Sequence, residues 1–544
     1  MAASVARRHH PLMPLRLWWL PGSLSTGTIL LLTAAPITAL LVQGSADLSP
    51  LLRDTYLRHV IWFSFYQAAL STLLSLGLAL PLAQALSRRR FPGRTLLLRL
   101  FGLTLVLPVI LVVFGLVAVH GRQGWSNRLL EWLGVEPVSY LYGLTGILLA
   151  HVFFNMPLAA RILLQSIEAI PASQWRLASQ LGFNSRQLFR WLVWPAVRAA
   201  LPGLASLIFM LCFTSFATVM ALGGGPKSTT LEVAIYQALR YDFDLPLAGS
   251  LALLQLLFCG AFLWLQYRVS KPPAFRGEAQ PCCPRHDARW WHTRLTDTLV
   301  MTLALSIFLP PLLAIVTAGL NPQLLPALVS ARLWSALSQS MVIAIGAGLL
   351  SVLLTTGLLL TSRHLKLREG RRRLAGGLEA GGSVILVLPA VVLSTGLFIL
   401  LRGVADVFAL GPLLVILVNA LMAMPYGLRT LQQPMEQVVL RYDRLCASLN
   451  VRALDRARLV EWPLLRRPLA LALALAVMLS LGDLSAIALF GNQHLQTLPW
   501  LLYQQLGSYQ MTEAAATALV LLTLNLALFL LIEGVLGGKH AHAD

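Results

Sequence analysis

The chain has 544 residues, of which 57% are hydrophobic and 12% are charged. A soluble domain carries about 25% charged residues, so this chain cannot cover a water-facing surface, and a cytosolic enzyme is excluded. The net charge of +20 arises from 42 Lys and Arg against 22 Asp and Glu. In an apolar chain such an excess is typical of loops at the anionic cytoplasmic face of a membrane. We therefore expect a lipid bilayer, and no nucleic acid, as the partner of these charges.

Twelve apolar stretches are long enough to cross a bilayer, which takes about 20 residues each. Their approximate bounds in chain order are 17–42, 60–86, 96–119, 141–164, 201–222, 247–267, 298–320, 333–360, 383–401, 410–428, 468–490 and 515–536. They predict an all-α polytopic membrane protein. Alternating loops place 34 of the 42 Lys and Arg residues on the side of the N-terminus. Because Lys and Arg resist translocation, both termini are predicted to be cytoplasmic.

An internal repeat with a spacing of 268 residues divides the chain. Met156–Pro157 recurs at 424–425, and Trp194–Pro195 recurs at 462–463. Each half holds six predicted spans, so both enter the membrane with the same polarity, and the solute path is expected between them. The predicted units are a first half at 1–267 and a second half at 298–544, joined by a basic, proline-rich cytoplasmic linker at 268–297.

The longest repeated polar segment follows the fourth span of each half: the first loop, residues 168–202, and the second loop, residues 436–467. Each is interpreted as helix, turn and helix. Gly182 turns the chain at positive φ without steric cost, and Asn450 is the next most tolerant residue at that place. We expect Pro195 and Pro463 to end the second short helix.

Both loops resemble the EAA loop of type I ABC importer permeases, whose pattern is E-A-A, three residues, G, nine residues and I-x-L-P. Arg176 and Arg444 depart from the family's glutamate, and tryptophan replaces the leucine before each proline. The resemblance implies that both loops dock an ATPase. The docking residues so implied are Arg176, Ala178, Gly182, Phe183, Leu192, Trp194 and Pro195 in the first loop, and Arg444, Cys446, Asn450, Val451, Val460, Trp462 and Pro463 in the second.

Other stretches resemble the fused permeases of bacterial thiamine importers: RFPGR at 90–94, HGRQGW at 120–125, HVFFN at 151–155, ALGGGP at 221–226, IYQAL at 235–239 and LYQQLGSY at 502–509. The resemblance implies two parallel six-helix repeats of the type I ABC importer (MetI-like) permease fold in the bacterial inner membrane. It implies transport of thiamine and thiamine phosphates by a chain with no catalytic residues and no cofactor of its own.

The implied partners are two copies of an ATP-binding-cassette ATPase, most simply a homodimer that binds ATP and Mg, and a periplasmic thiamine-binding protein. Ferric-iron importers share the fused layout and are the nearest alternative. A twelve-helix secondary transporter also fits the span count, but it would need several intramembrane ionisable residues for ion coupling. A membrane-embedded enzyme would need clustered acids or histidines, whereas the acidic residues here are scattered. The five cysteines show no C-x-x-C spacing, so no metal site is expected.

Asp483 is the convincing intramembrane acid, and a carboxylate at the bilayer centre costs about 2.5–3.5 kcal/mol. The repeat pairs it with Ser215. One hypothesis places both residues on the translocation path, where the carboxylate attracts a cationic solute such as the thiazolium of thiamine. The other is a buried aspartate bonded to hydroxyls or backbone near a helix break. Both hypotheses stay open.

Overall fold

The computed structural model describes residues 19–44, 53–104, 106–269, 285–383, 385, 388–451 and 453–537. Within these residues the regular structure is helical, with no strand. Eleven of the described helical stretches are long and apolar enough to cross a membrane, and the shorter apolar helix Ala390–Leu401 lies at the end of another predicted span. The prediction of an all-α polytopic fold is therefore confirmed.

The first half contains α1 (Leu20–Gln43), α2 (Thr55–Arg88), α3 (Arg94–Leu103), α4 (Val109–His120), α5 (Trp125–Trp132), α6 (Leu144–Glu168), α7 (Ala172–Gln180), α8 (Ser185–Leu188), α9 (Trp194–Phe213), α10 (Phe216–Leu222), α11 (Leu231–Arg240) and α12 (Leu245–Val269). The second half contains α13 (Trp291–Gly319), α14 (Leu324–Val329), α15 (Ala331–Leu367), α16 (Arg372–Ser383), α17 (Ala390–Leu401), α18 (Gly411–Ser448), α19 (Ala453–Arg456), α20 (Trp462–Leu481), α21 (Ser485–Phe490), α22 (Leu498–Gly507) and α23 (Met511–Gly537). Helix α13 begins inside the predicted linker, of which residues 270–284 lie outside the described part of the chain.

Four of the predicted spans coincide with pairs of helices that are separated by a break. In the first half the third span covers α3 and α4, and the fifth covers α9 and α10. In the second half the third span begins at the last residue of α16 and covers α17, and the fifth covers α20 and α21. Pro108 and Pro389 precede α4 and α17, where a proline disfavours helical backbone in the residue before it. Irregular backbone at membrane depth is tolerated only inside protein or along a cavity. Pro108 and Pro389 at two of the breaks are buried, and Ser215 and Asp483 at the other two are partly exposed.

The first helix of each half packs against the other half. Helix α1 packs on α15 and α17, whereas α13 packs on α2 and α4. At these crossings Gly396 lies against Pro36 and Gly115 lies against Pro311. A Cβ added at Gly115 would approach the Pro311 carbonyl oxygen to 2.5 Å, and one at Gly396 would approach that of Pro36 to 2.8 Å. The two halves are thus interlocked at crossings that only glycine fits.

The repeat extends to individual tertiary contacts. The Leu231 N–H at the start of α11 donates to the Ser64 hydroxyl of α2 at 2.9 Å. The Leu498 N–H at the start of α22 donates to the Ser340 hydroxyl of α15 at 2.8 Å. These bonds align α2 with α15 residue by residue, with Ser64 opposite Ser340.

Candidate docking loops and membrane path

The two loops share the turn and the segment that follows it, although α6 and α7 are separate helices in the first loop and α18 is continuous in the second. In the first loop, α7 ends at Gln180, Gly182 follows it with φ +65°, and α8 and a π-helical turn at 189–193 lead into α9. In the second loop, α18 ends before Asn450 with φ +54°, and α19 and a π-helical turn at 457–461 lead into α20. Both residues expected to turn at positive φ do so.

Each turn is a Schellman cap, the motif that pairs the last free carbonyls of a helix. In the first loop the Phe183 N–H donates to the Ala178 carbonyl at 3.0 Å, and the Gly182 N–H donates to the Ser179 carbonyl at 3.2 Å. The second loop repeats both bonds, from Val451 to Cys446 at 2.9 Å and from Asn450 to Ala447 at 3.3 Å. Ala178 and Cys446 are buried beneath the two turns. Each cap therefore brings together docking residues that were predicted from the sequence: Ala178, Gly182 and Phe183 in the first loop, and Cys446, Asn450 and Val451 in the second.

The prolines do not end the second short helix, and that expectation was wrong. Pro195 and Pro463 are the second residues of the membrane helices α9 and α20. The preceding N–H groups bond five residues back, from Trp194 to the Phe189 carbonyl and from Trp462 to the Ala457 carbonyl. Proline suits a first helical turn because its missing N–H is not needed there. The prolines therefore begin α9 and α20, while Leu192 and Val460 lie half-buried inside the π-helical turns.

Each loop presents apolar side chains to its surroundings. Leu177, Leu181 and Trp194 are exposed in the first loop. Their counterparts at the repeat spacing are also exposed, namely Leu445, Leu449 and Trp462. Arg176 and Arg444 lie exposed beside them. Large exposed apolar side chains next to a charged residue are typical of an interaction surface, and the two loops expose them at equivalent positions.

Ion pairs hold the second loop against α15, and of these the Arg363–Glu461 pair is buried and the Arg368–Asp443 pair is partly buried. Asp443 accepts from Arg368 at 2.9 Å, and Glu461 accepts from Arg363 at 3.0 Å. Arg456 binds both carboxylates. Buried carboxylates are costly unless they are paired, so these contacts fix the loop geometry. This network was not predicted from the sequence, although Glu461, an acid directly before the Trp-Pro pair in a chain with few acids, is a signal for it.

Asp483 caps α21 at a helix break. Its carboxylate oxygens accept from the Ser485 N–H at 3.0 Å and the Ala486 N–H at 3.1 Å. Ser215 directly precedes α10 at the corresponding break. A Cβ added at Gly482 would lie 3.2 Å from Cα of Pro108, so the break at Asp483 adjoins α4 of the first half. The structure thus places Asp483 at the seam between the halves with its oxygens bonded to backbone. Its role on the path stays a prediction.

Comparison with known proteins gives consistent matches. The family described as binding-protein-dependent transport system inner membrane component matches residues 354–535. The thiamine transport system permease protein ThiP of Salmonella typhimurium is 48% identical over 547 residues, covering 99% of this chain and all of that protein. ThiP of Escherichia coli is also 48% identical with the same coverage. ThiP of Brucella abortus is 44% identical over 88% of each chain.

The Salmonella and Escherichia relatives match over 99% of this chain, which includes both halves and the linker. The alternatives of a ferric-iron permease and a secondary transporter are not favoured. The eleven apolar helices and the relatives together place the chain in the inner membrane as a multi-pass protein. The chain belongs to the family of bacterial thiamine transport system permease proteins, the inner membrane components of binding-protein-dependent importers.

Proposed function

We propose that this chain is the transmembrane subunit of an ABC importer that carries thiamine and thiamine phosphates across the inner membrane, driven by a separate ATPase. The observation that carries the proposal is the 48% identity to thiamine transport permeases over nearly the whole chain. Both termini lie in the cytoplasm in this proposal, as the distribution of Lys and Arg favours.

The two loops are the proposed docking sites for the ATPase. Their matching Schellman caps and exposed apolar patches support two equivalent contacts, which suit two copies of one ATPase. That ATPase would bind ATP and Mg. A periplasmic thiamine-binding protein would dock on the opposite face and release its ligand between the halves.

The continuity of each loop with a membrane helix supports a mechanism. Helix α9 has 20 residues and therefore extends about 30 Å from its loop to the break at Ser215. Helix α20 has the same length and ends at the break that Asp483 caps. When ATP closes the ATPase dimer, the loops would move together and the helices would carry that motion to the seam. The path would then alternate between inward-facing and outward-facing states.

Asp483 is the proposed electrostatic element of the path. It lies partly exposed beside the seam, and two backbone N–H groups hold its carboxylate in one orientation. A fixed negative charge at that depth would favour a thiazolium cation over a neutral solute of similar size.

The test is purification of the chain with its partners, followed by ATPase assays with candidate binding proteins. Stimulation by a thiamine-loaded binding protein, and not by the empty protein, is the expected result. If only a binding protein loaded with ferric iron stimulated the ATPase, the assignment of thiamine as the substrate would be overturned. Failure of any ATPase to co-purify with a correctly folded chain would overturn the importer proposal itself.

A further inference from the structure

We infer that Arg285, contributed by the linker between the halves, positions the first loop by holding Trp175 of α7. The inference rests on the proposed docking role of that loop. It assigns the linker a part in coupling beyond connecting two halves.

Arg285 lies between the linker and the first loop. Its guanidinium lies over the Trp175 ring, 4.3 Å from the centroid, and its side chain is buried. Nη1 donates to the Ser87 hydroxyl at 3.0 Å. Nε and Nη2 donate to the two Asp287 oxygens at 3.1 Å and 2.9 Å. A guanidinium that donates to both oxygens of one carboxylate and lies over an indole ring has little freedom to move.

The carboxylate that orients Arg285 is itself held by α2. Asp287 is fully buried and accepts from Arg88 at 3.1 Å. Asp297 of α13 accepts from Arg88 at 3.0 Å and from Arg89 at 2.8 Å. Burial lowers the pKa of the Arg285 guanidinium, and its bond to Asp287 acts against that shift. Helix α2, the described end of the linker and the start of α13 thus form one rigid base for the Trp175 contact.

The second loop is also held by a guanidinium, but different residues supply the contact. The alignment of Ser64 with Ser340 places Ser87 opposite Arg363, the α15 residue that binds Glu461. The repeat spacing places Trp175 opposite Asp443.

At the positions equivalent to Arg363, Asp443 and Glu461, the first half therefore has neither an arginine nor an acid. Val193, which is buried, stands where Glu461 stands. Arg285 binds the hydroxyl of Ser87, the residue opposite Arg363, and stacks on the residue opposite Asp443. The linker thus supplies from outside the half the guanidinium that α15 supplies within the second half.

The first experiment measures hydrogen exchange in the full chain reconstituted alone in nanodiscs. Arg285→Ala should speed exchange of amides at 172–181 roughly three- to tenfold and leave those at 440–450 unchanged. Arg363→Ala should produce the reverse pattern, which makes each variant the control for the other. Arg294→Ala removes an exposed arginine of α13 and should change neither loop. Unchanged exchange at 172–181 in Arg285→Ala, or an equal increase in both loops, would overturn the inference.

Variants of Trp175 test the contact from its other side. Trp175→Ala should raise exchange at 172–181 as Arg285→Ala does, whereas Trp175→Phe keeps an aromatic face and should restore most of the protection. The double variant Arg285→Ala with Trp175→Ala should be no worse than either single one, because both remove the same contact. Additive effects, or a Phe variant as poor as the Ala variant, would refute the stacking contact.

The second experiment uses the complex with the ATPase and a photo-reactive amino acid at position 176 or 444. Arg285→Ala should lower crosslinking to the ATPase from position 176 several-fold and leave crosslinking from position 444 intact. Equal crosslinking from position 176 in wild type and variant would overturn the role of Arg285 in coupling. If wild type gives no crosslink from either loop while the exchange results hold, the docking proposal fails and the Arg285–Trp175 contact stands.

Discussion

Replacing Gly182 by valine tests whether the left-handed turn of the first loop is needed for coupling. Gly182 has φ +65°, and a Cβ added there would meet nothing within 4 Å. The cost of the substitution is therefore conformational, without a steric clash. A left-handed backbone costs an L-residue about 1–2 kcal/mol, and β-branched residues adopt it least readily.

That cost predicts the size of the effect. A penalty of one or two kcal/mol lowers the population of a state roughly five- to thirtyfold. Gly182→Val should therefore reduce the stimulation of ATPase activity by the loaded binding protein, and thiamine uptake, by up to that factor. Both are measured in proteoliposomes that contain the complex.

The two loops supply matched controls for each other. Gly182→Asn imports the residue that turns the second loop at φ +54°, and Asn450→Gly imports the residue of the first. Both variants should couple nearly as well as wild type. If Gly182→Val couples as well as Gly182→Asn, the docking role of the left-handed turn is refuted.

Three further predictions concern the seam and the packing of the halves. Asp483→Asn should lower thiamine uptake at limiting substrate by about threefold or more, because one negative charge is lost. Normal uptake at both limiting and saturating thiamine would refute the electrostatic proposal. Gly115→Ala should destabilise the fold by about 1–3 kcal/mol because its Cβ meets the Pro311 carbonyl, whereas Gly77→Ala of α2, which faces open space, should leave the melting temperature unchanged. Glu461→Gln should lower the melting temperature by leaving Arg363 unpaired. Adding Arg363→Met to that variant should restore part of the loss. If Glu461→Gln were as stable as wild type, the pair would contribute no stability.

The spans, the repeat and the two left-handed turns were predictable from the residues. A bilayer span needs only a local run of apolar residues, and a positive φ is favoured by Gly182 or Asn450 wherever the chain must reverse. These signals are local, so they survive without knowledge of what surrounds them. The same local reasoning failed at Pro195, because the π-helical turn that places it at a helix start depends on hydrogen-bond register.

The packing of α1 and α13 against the opposite halves, the helix breaks at Ser215 and Asp483, and the networks around the loops were decided by tertiary structure. Gly396 is one glycine among 39 until Pro36 from the other half is seen to cross it. Arg285 is one basic residue of a basic linker until its guanidinium is found over Trp175. Such contacts join residues far apart in the chain, and their energies depend on burial and on geometry within a few tenths of an ångström. Hydropathy and sequence spacing report neither burial nor contact geometry. The residues that hold the first loop to the linker can therefore be identified only in the folded structure.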